Sequence, residues 1–243
     1  VTKLAHIHWV TNEESKKRIL KLGEQPFRVF NFGNPGIDRF VKTPNVQLNK
    51  IPELKNFIDN ENETYLLLIQ HVISTEVKHA ASQMETTLEA VKEIGVKTII
   101  IYPNSDAGSD EIIKVIKRYD GIKFIKVIKN IPRLSFVNIL RKTACLIGNS
   151  SCGILEAPIL KIPVINIGNR QKGRLHSENV NFVSHNKNEI KEAINKAINN
   201  KEYINYIQNC SNPYGDGNSS EKIVNLIDSI TVDRKLLIKD ITY

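Results

Sequence analysis

The fold is decided by one stretch of the 243-residue chain, residues 144–174, which reads ACLIGNSSCGILEAPILKIPVINIGNRQKGR. An apolar run at 144–147 ends in a turn of Gly, Asn and Ser, and a helical segment at 153–160 leads to a second apolar run at 164–167. Neither run alternates between apolar and polar residues, which is typical of strands buried on both faces of a parallel sheet. A strand, a helix and a second strand in this order predict a βαβ unit.

The same alternation extends over most of the chain. Further strands are predicted at 7–10, 28–32, 65–70, 97–102 and 122–128, and further helices at 13–22, 76–93, 110–118, 133–143 and 189–197. In the longest helix, Ala80, Met84, Leu88 and Val91 recur at helical spacing and should face the sheet. We therefore predict an α/β fold with a doubly wound, Rossmann-like parallel sheet.

The predicted elements divide the chain unevenly. Residues 43–60, with two prolines, are predicted to be a linker with a short helix. Residues 1–42 hold too few elements for a Rossmann-like domain and are predicted to be the last part of an N-terminal domain. We predict a complete Rossmann-like domain at 61–228 and a tail at 229–243. Two alternatives stay open: the first segment extends the edge of the second sheet, and the tail is either an edge strand or a crossover.

Composition is that of an ordinary globular protein, with 41% hydrophobic and 25% charged residues. No apolar stretch reaches the roughly 20 residues of a bilayer span, and no charged-then-apolar leader opens the chain. We therefore expect a cytoplasmic protein without a membrane partner. The three cysteines lack zinc-like spacing, which fits a reducing compartment. The net charge of +8 suggests anionic partners, but no nucleic-acid-binding motif accompanies it, so nucleic acid is not expected.

The turn after the run at 144–147 is the first candidate site. The hydroxyls of Ser150 and Ser151 lie beside a predicted helix N-terminus, where free amide groups and the macrodipole attract anions. Gly148 and Gly153 allow the backbone to come close to a phosphate. Capping of the helix by a serine is the alternative. Two serines, two glycines and the strand–turn–helix context favour phosphate binding.

Other polar residues reach the same edge of a parallel sheet, because they follow neighbouring strands. Arg170 carries a guanidinium that can chelate phosphate oxygens. Glu156, one turn into the helix, can accept hydrogen bonds from a sugar diol, with a dipole-favoured glutamate as the alternative. His71 can donate a proton or a hydrogen bond to a phosphate, and Asn104 follows the next strand. No zinc, EF-hand, Walker A or GxSxG pattern is present, so we expect no metal site.

The chain resembles a known family in these segments. From Val1 to about Ile227 it is similar to the hydrolysing UDP-N-acetylglucosamine 2-epimerases of sialic and related nonulosonic acid biosynthesis, through GNSSCGILEAP, INIGNRQKGR, FNFGNPGID, YPNSDAGS and NPYGDGNSSEKIV. The non-hydrolysing epimerases typically carry an acidic-arginine-proline loop where residues 169–174 stand here. The loop at 169–174 therefore favours the hydrolysing branch.

The resemblance implies a GT-B type fold of two Rossmann-like domains, with this chain as the C-terminal portion and a nucleotide sugar in the interdomain cleft. It gives roles to six residues: diphosphate binding to Ser150, Ser151 and Arg170, a phosphate contact and a catalytic role to His71, ribose binding to Glu156, and a position near the nucleotide to Asn104. It implies no cofactor, leaves a need for a divalent metal open, and suggests a homo-oligomer.

The implied reaction is elimination of UDP across the C1–C2 bond of the sugar to give a glycal, followed by hydration to N-acetylmannosamine. In the family, the carboxylates that act as acid and base precede the point where this chain begins. We therefore expect this chain alone to turn over poorly. Two alternatives stay open: a GT-B glycosyltransferase that uses a UDP-sugar, and a non-catalytic UDP-binding fragment.

Overall fold

The computed structural model describes residues 2–240 and 242, which form two compact units. The first unit contains the described residues of 1–43 and 212–243, and the second contains residues 44–211. Val1, Ile241 and Tyr243, at the ends of the predicted first segment and tail, lie outside the described residues. The domain boundaries after residues 42, 60 and 228 stay a prediction, while residues 212–228 group with the first unit.

The strands form one large and one small parallel sheet. In chain order they are β1 (His8–Val10), β2 (Val29–Asn31), β3 (Leu66–Ile69), β4 (Thr98–Ile101), β5 (Ile125–Ile128), β6 (Cys145–Gly148), β7 (Val164–Ile167) and β8 (Val180–Val183). β1 and β2 pair in the first unit, and the other six form a parallel sheet in the order β5-β4-β3-β6-β7-β8. This is the strand order of a doubly wound sheet, so the predicted fold class is confirmed.

Helices cover the connections between the strands. They are α1 (Glu13–Lys21), α2 (Pro35–Val41), α3 (Ala80–Ile94), α4 (Ser109–Tyr119), α5 (Arg133–Lys142), α6 (Cys152–Leu155), α7 (Lys187–Asn199), α8 (Lys201–Gln208), α9 (Ser219–Ser229) and α10 (Arg234–Leu237). The main core joins residues of the large sheet to α3, α4 and α7. Ala80, Met84, Leu88 and Val91 of α3 are buried in it, as their spacing predicts.

The prediction of one continuous helix over residues 153–160 is wrong, because the α-helix is shorter. The α-helix α6 is a single turn, and a 3-10 turn follows at Ala157–Leu160. Pro158 has no N–H group, so regular α-helical hydrogen bonding does not continue through it. An anion beside the start of α6 therefore meets the dipole of one turn instead of that of a long helix.

Both edge-strand alternatives are wrong. β1 and β2 form their own sheet, so the first segment does not extend the large one. Within residues 229–240 the structure contains α10 and no strand. The segment predicted to be a linker with a short helix holds two 3-10 turns, Leu48–Lys50 and Pro52–Leu54. Leu48, Ile51 and Leu54 are buried, so this segment packs as part of the second unit.

Arg28 anchors α10 within the first unit. Its side chain is 0% exposed, and its guanidinium donates hydrogen bonds to the carbonyls of His6, Lys235, Leu236 and Ile238 at 2.6–3.2 Å. The last three carbonyls lie in or just after α10, where a helix leaves its C=O groups unpaired. The tail is therefore held against residues of the first segment.

Candidate functional site

The candidate site lies at the carboxyl ends of β3 and β6, where the order of strands in the large sheet reverses. Open α/β sheets leave a ligand-binding crevice at such a point. β3 leads into Gln70 and His71, and β6 leads into Asn149, Ser150 and Ser151. The first two loops of the predicted site are therefore neighbours.

Packing alone accounts for the two glycines of this region. Gly148 has a φ of +119°, and a Cβ at this position would overlap the carbonyl oxygen of Ile69 on the neighbouring strand. At Gly153 a Cβ would lie 2.7 Å from Cγ1 of Val164. Both glycines are needed for contacts between elements of the sheet. Their role in the close approach of a phosphate stays a prediction.

Asn149 joins the two strand ends. It is 1% exposed, its Oδ1 accepts a hydrogen bond from the His71 N–H at 2.7 Å, and its Nδ2 donates to the His71 carbonyl at 2.9 Å. The backbone pairing of β3 with β6 ends at Ile69 and Gly148. Beyond that point the side-chain amide of Asn149, in place of its backbone, pairs with the N–H and C=O of His71. Sequence reasoning missed Asn149; its position between a strand-ending glycine and two serines was the available clue.

The loop after β7 reaches the same turn. Nη1 of Arg170 donates a hydrogen bond to the Asn149 carbonyl at 3.0 Å, and Nε2 of Gln171 donates to the same oxygen at 2.9 Å. Gln171 is buried, and its Oε1 accepts a hydrogen bond from Nη1 of Arg174 at 2.8 Å. The structure therefore brings Arg170 against the turn that carries Ser150. Sequence reasoning missed Gln171.

His71 is a neutral hydrogen-bonding group at neutral pH. Its Nδ1 accepts a hydrogen bond from the Asn104 backbone N–H at 3.1 Å, so the proton of the neutral ring is on Nε2. Burial lowers the pKa of His71 to about 4, the Arg170 guanidinium also lowers it, and Asp106 opposes the change. Asn104 takes part through its backbone, and the residue is exposed. At neutral pH the His71 ring therefore carries no extra proton that it could transfer to a ligand. It can still donate a hydrogen bond through Nε2–H.

The two serines have different surroundings. Oγ of Ser150 accepts hydrogen bonds from the Cys152 N–H at 3.4 Å and from the Cys152 thiol at 3.1 Å. The hydroxyl proton of Ser150 thus stays free for a further acceptor. Ser151 occupies the N-cap of α6, but its side chain makes no capping hydrogen bond. Capping therefore does not account for Ser151.

Glu156 is a half-buried carboxylate among cations. Its Oε2 is buried and has no hydrogen-bond partner among the described residues. Burial raises the pKa of Glu156 to about 7, and the positive charges of Arg133 and Arg174 oppose this rise. A buried acceptor without a donor costs about 1–3 kcal/mol. A ligand hydroxyl at this position would supply the missing donor.

Residues 2–240 and 242 contain neither a metal-binding cluster nor a helix of membrane-spanning type. No group of three or more His, Cys, Asp or Glu side chains in this part of the chain is placed to hold a metal ion. None of its helices combines the length and the apolar character that a membrane span requires.

The chain matches a family model and several curated relatives. The family model is described as UDP-N-acetylglucosamine 2-epimerase and matches residues 1–228. The chain is 32% identical to the hydrolysing UDP-N,N'-diacetylbacillosamine 2-epimerase of Legionella pneumophila, over 98% of this chain and 62% of the relative. It is 31% identical to the polysialic acid biosynthesis protein P7 of Escherichia coli, over 99% of this chain and 61% of the relative. The chain thus spans about three fifths of the length of these relatives.

A solved structure shares the fold. The chain aligns with the UDP-GlcNAc 2-epimerase of Neisseria meningitidis, solved with UDP-GlcNAc bound, at a TM-score of 0.75 and 20% identity. The alignment covers 94% of this chain and 63% of that one. At this identity the likeness concerns the fold alone, which is the GT-B type expected from the sequence.

Proposed function

The chain belongs to the UDP-N-acetylglucosamine 2-epimerase family, and from that premise we propose that it binds the UDP part of a nucleotide sugar at the carboxyl ends of β3, β6 and β7. Ser150, Ser151 and Arg170 bind the diphosphate in this proposal. The observation that supports it is the hydrogen bond from Arg170 to the carbonyl of Asn149, the residue that directly precedes Ser150 and Ser151 in the chain. Planar guanidinium groups suit phosphate oxygens because they can donate two parallel hydrogen bonds.

The remaining proposed contacts surround the diphosphate. His71 donates a hydrogen bond from Nε2–H to a phosphate oxygen, while Asn104 holds its Nδ1. Oε2 of Glu156, which has no hydrogen-bond partner within residues 2–240 and 242, accepts from the ribose hydroxyls. A diol offers two donors to one carboxylate, so ribose binding also stabilises the ionised form of Glu156. All of these residues belong to the second unit.

We propose the hydrolysing reaction for the protein. A proton leaves C2 of the sugar, the bond between C1 and the diphosphate oxygen breaks, and a glycal with a C1–C2 double bond forms. Water then adds its oxygen to C1 and a proton to C2, which gives a ManNAc-type sugar and free UDP. The site in this chain stabilises the negative charge that collects on the departing diphosphate, which is an electrostatic role. Neutral His71 contributes a hydrogen bond to this step.

The sugar is UDP-N-acetylglucosamine or a close relative such as a diacetylated one. The hydrolysing relative from Legionella pneumophila is named for the diacetylated sugar, and the family model for N-acetylglucosamine. Because the chain spans 62% of that relative, we expect it to bind UDP but to turn over poorly by itself.

The experiment combines binding and product analysis. Calorimetry with UDP and with uridine measures how much the phosphates contribute, and each UDP-sugar is then incubated with the protein while free UDP and free sugar are quantified. Tight UDP binding with weak uridine binding supports the site, and free UDP with a ManNAc-type sugar supports the reaction. A new glycoside formed with an acceptor would favour a glycosyltransferase. Absence of UDP binding would contradict the proposed site.

A further inference from the structure

Asn149 connects three loops of the proposed site. Its side chain pairs with both backbone groups of His71 at 2.7 and 2.9 Å. Its carbonyl accepts hydrogen bonds from Arg170 at 3.0 Å and from Gln171 at 2.9 Å. The next residue along the chain is Ser150. Three groups of one buried residue therefore make four hydrogen bonds that connect the loops after β3, β6 and β7.

We propose that Asn149 is a positioning residue for diphosphate binding: it fixes His71, Arg170 and the Ser150–Ser151 turn in one arrangement before the ligand arrives. This inference rests on the proposed function. Donors that are already in place lose little freedom on binding, so preorganisation contributes directly to affinity. The residue does not need to touch the ligand, because it acts through the groups that do.

Asparagine suits this position for a chemical reason. The β3–β6 backbone pairing stops where Gly148 turns with a φ of +119°. His71 then presents one N–H and one C=O that lack a backbone partner on β6. A primary amide offers one acceptor and one donor with the matching spacing. Asn149 supplies both from a buried side chain, which water does not easily replace.

The chain offers a matched control in Asn138. This residue is also buried, its Oδ1 accepts a hydrogen bond from the Val46 N–H at 2.9 Å, and its Nδ2 donates to the Pro44 carbonyl at 3.1 Å. Asn138 thus bridges backbone groups as Asn149 does, and it lies in the same unit. Its partners in these bonds are not residues of the proposed site. The Asn138 side chain also donates to the Leu134 carbonyl and accepts from Arg141. Its replacement therefore removes more hydrogen bonds than that of Asn149 and is a stringent control for lost stability that leaves the diphosphate donors in place.

The test compares Asn149→Ala and Asn138→Ala in the full chain. UDP and uridine affinities are measured by calorimetry, and stability by urea unfolding. We expect both variants to lose stability, but only Asn149→Ala to lose UDP affinity, by roughly ten- to a hundredfold. Uridine affinity should change much less, because uridine lacks the phosphates. The pKa of His71, followed by NMR, should rise in Asn149→Ala, because burial is the main cause of its low value and the His71 backbone, no longer fixed by the amide, lets the ring become more exposed.

The outcomes separate the inference from the proposed function. If the wild-type chain binds UDP no better than uridine, the proposed function fails. If the wild type binds UDP and Asn149→Ala binds it equally well, or if Asn138→Ala loses as much affinity, the inference is wrong. Should Asn149→Ala not fold, Asn149→Ser decides. Its single hydroxyl cannot meet both the N–H and the carbonyl of His71 and adds no charge beside the diphosphate, so it should also bind UDP more weakly.

Discussion

Replacing Arg170 with alanine tests the proposed diphosphate contact. One guanidinium N–H, on Nη1, is already used by the Asn149 carbonyl. An arginine side chain has about five N–H donors, so most remain for a ligand. Because Gln171 continues to donate to the same carbonyl at 2.9 Å, the substitution leaves no unpaired acceptor behind. We therefore expect a loss of binding without a large loss of stability.

The size of the effect follows from the type of contact. A hydrogen bond to a charged partner contributes about 1.5–3 kcal/mol, which corresponds to a Kd for UDP that is about 10- to 150-fold higher. Arg170→Lys keeps the positive charge but lacks the planar pair of donors. Its affinity should lie between those of the wild type and Arg170→Ala.

The assay is calorimetric titration of UDP, with Lys172→Ala as the matched control. Lys172 lies in the same loop and is exposed, so its removal tests the loss of one nearby charge without the proposed contact. We expect Lys172→Ala to stay close to the wild type. In Arg170→Ala the pKa of His71 should also rise from about 4, because the guanidinium lowers it. A UDP affinity within twofold of the wild type in Arg170→Ala, or an equal loss in Lys172→Ala, would refute the assignment.

Three further substitutions test other parts of the structure. Gly148→Ala should lower the free energy of unfolding, measured in urea, by at least about 3 kcal/mol. Gly95 also has a positive φ but lies in an open environment, so Gly95→Ala should lower it by only about 1–2 kcal/mol. Equal losses would contradict the packing argument. Glu156→Gln should gain stability relative to the wild type as pH rises from 4.5 through 7, by up to about 3 kcal/mol. The reason is that burial raises the pKa of Glu156 to about 7 and so disfavours its charged form in the folded wild type. A stability difference that does not change with pH would contradict this. Arg28→Met should destabilise the first unit by about 3 kcal/mol or more and speed amide exchange in residues 234–240; unchanged exchange would mean that Arg28 does not anchor the tail.

Much of the fold could be predicted from the sequence. β7 has the predicted bounds, Val164–Ile167, since an uninterrupted apolar run identifies a buried central strand. β8 was missed because Asn181 interrupts its short apolar run and three of its four residues are only partly buried. Helix α6 was predicted too long because the helical sequence pattern continues through Pro158. This residue has no N–H group, so it interrupts the α-helical hydrogen bonds in spite of the pattern. The family resemblance is confirmed by the match over residues 1–228.

The candidate site could be predicted only in part. Ser150 and Arg170 follow strands of the same parallel sheet, and strand direction places both at one edge. Asn149 and Gln171 act by hydrogen bonds to backbone groups that are distant in the chain, and no spacing rule reveals such partners. The pKa values of His71 and Glu156 depend on burial and on cations from other loops, so they follow only from the three-dimensional structure.

A crystal structure of this chain with UDP bound tests the central claim most directly. The account predicts diphosphate oxygens within hydrogen-bond distance of the Ser150 and Ser151 hydroxyls and of the Arg170 guanidinium, with the ribose hydroxyls on Oε2 of Glu156. Density for the diphosphate at another edge of the large sheet, or in the first unit, would contradict it.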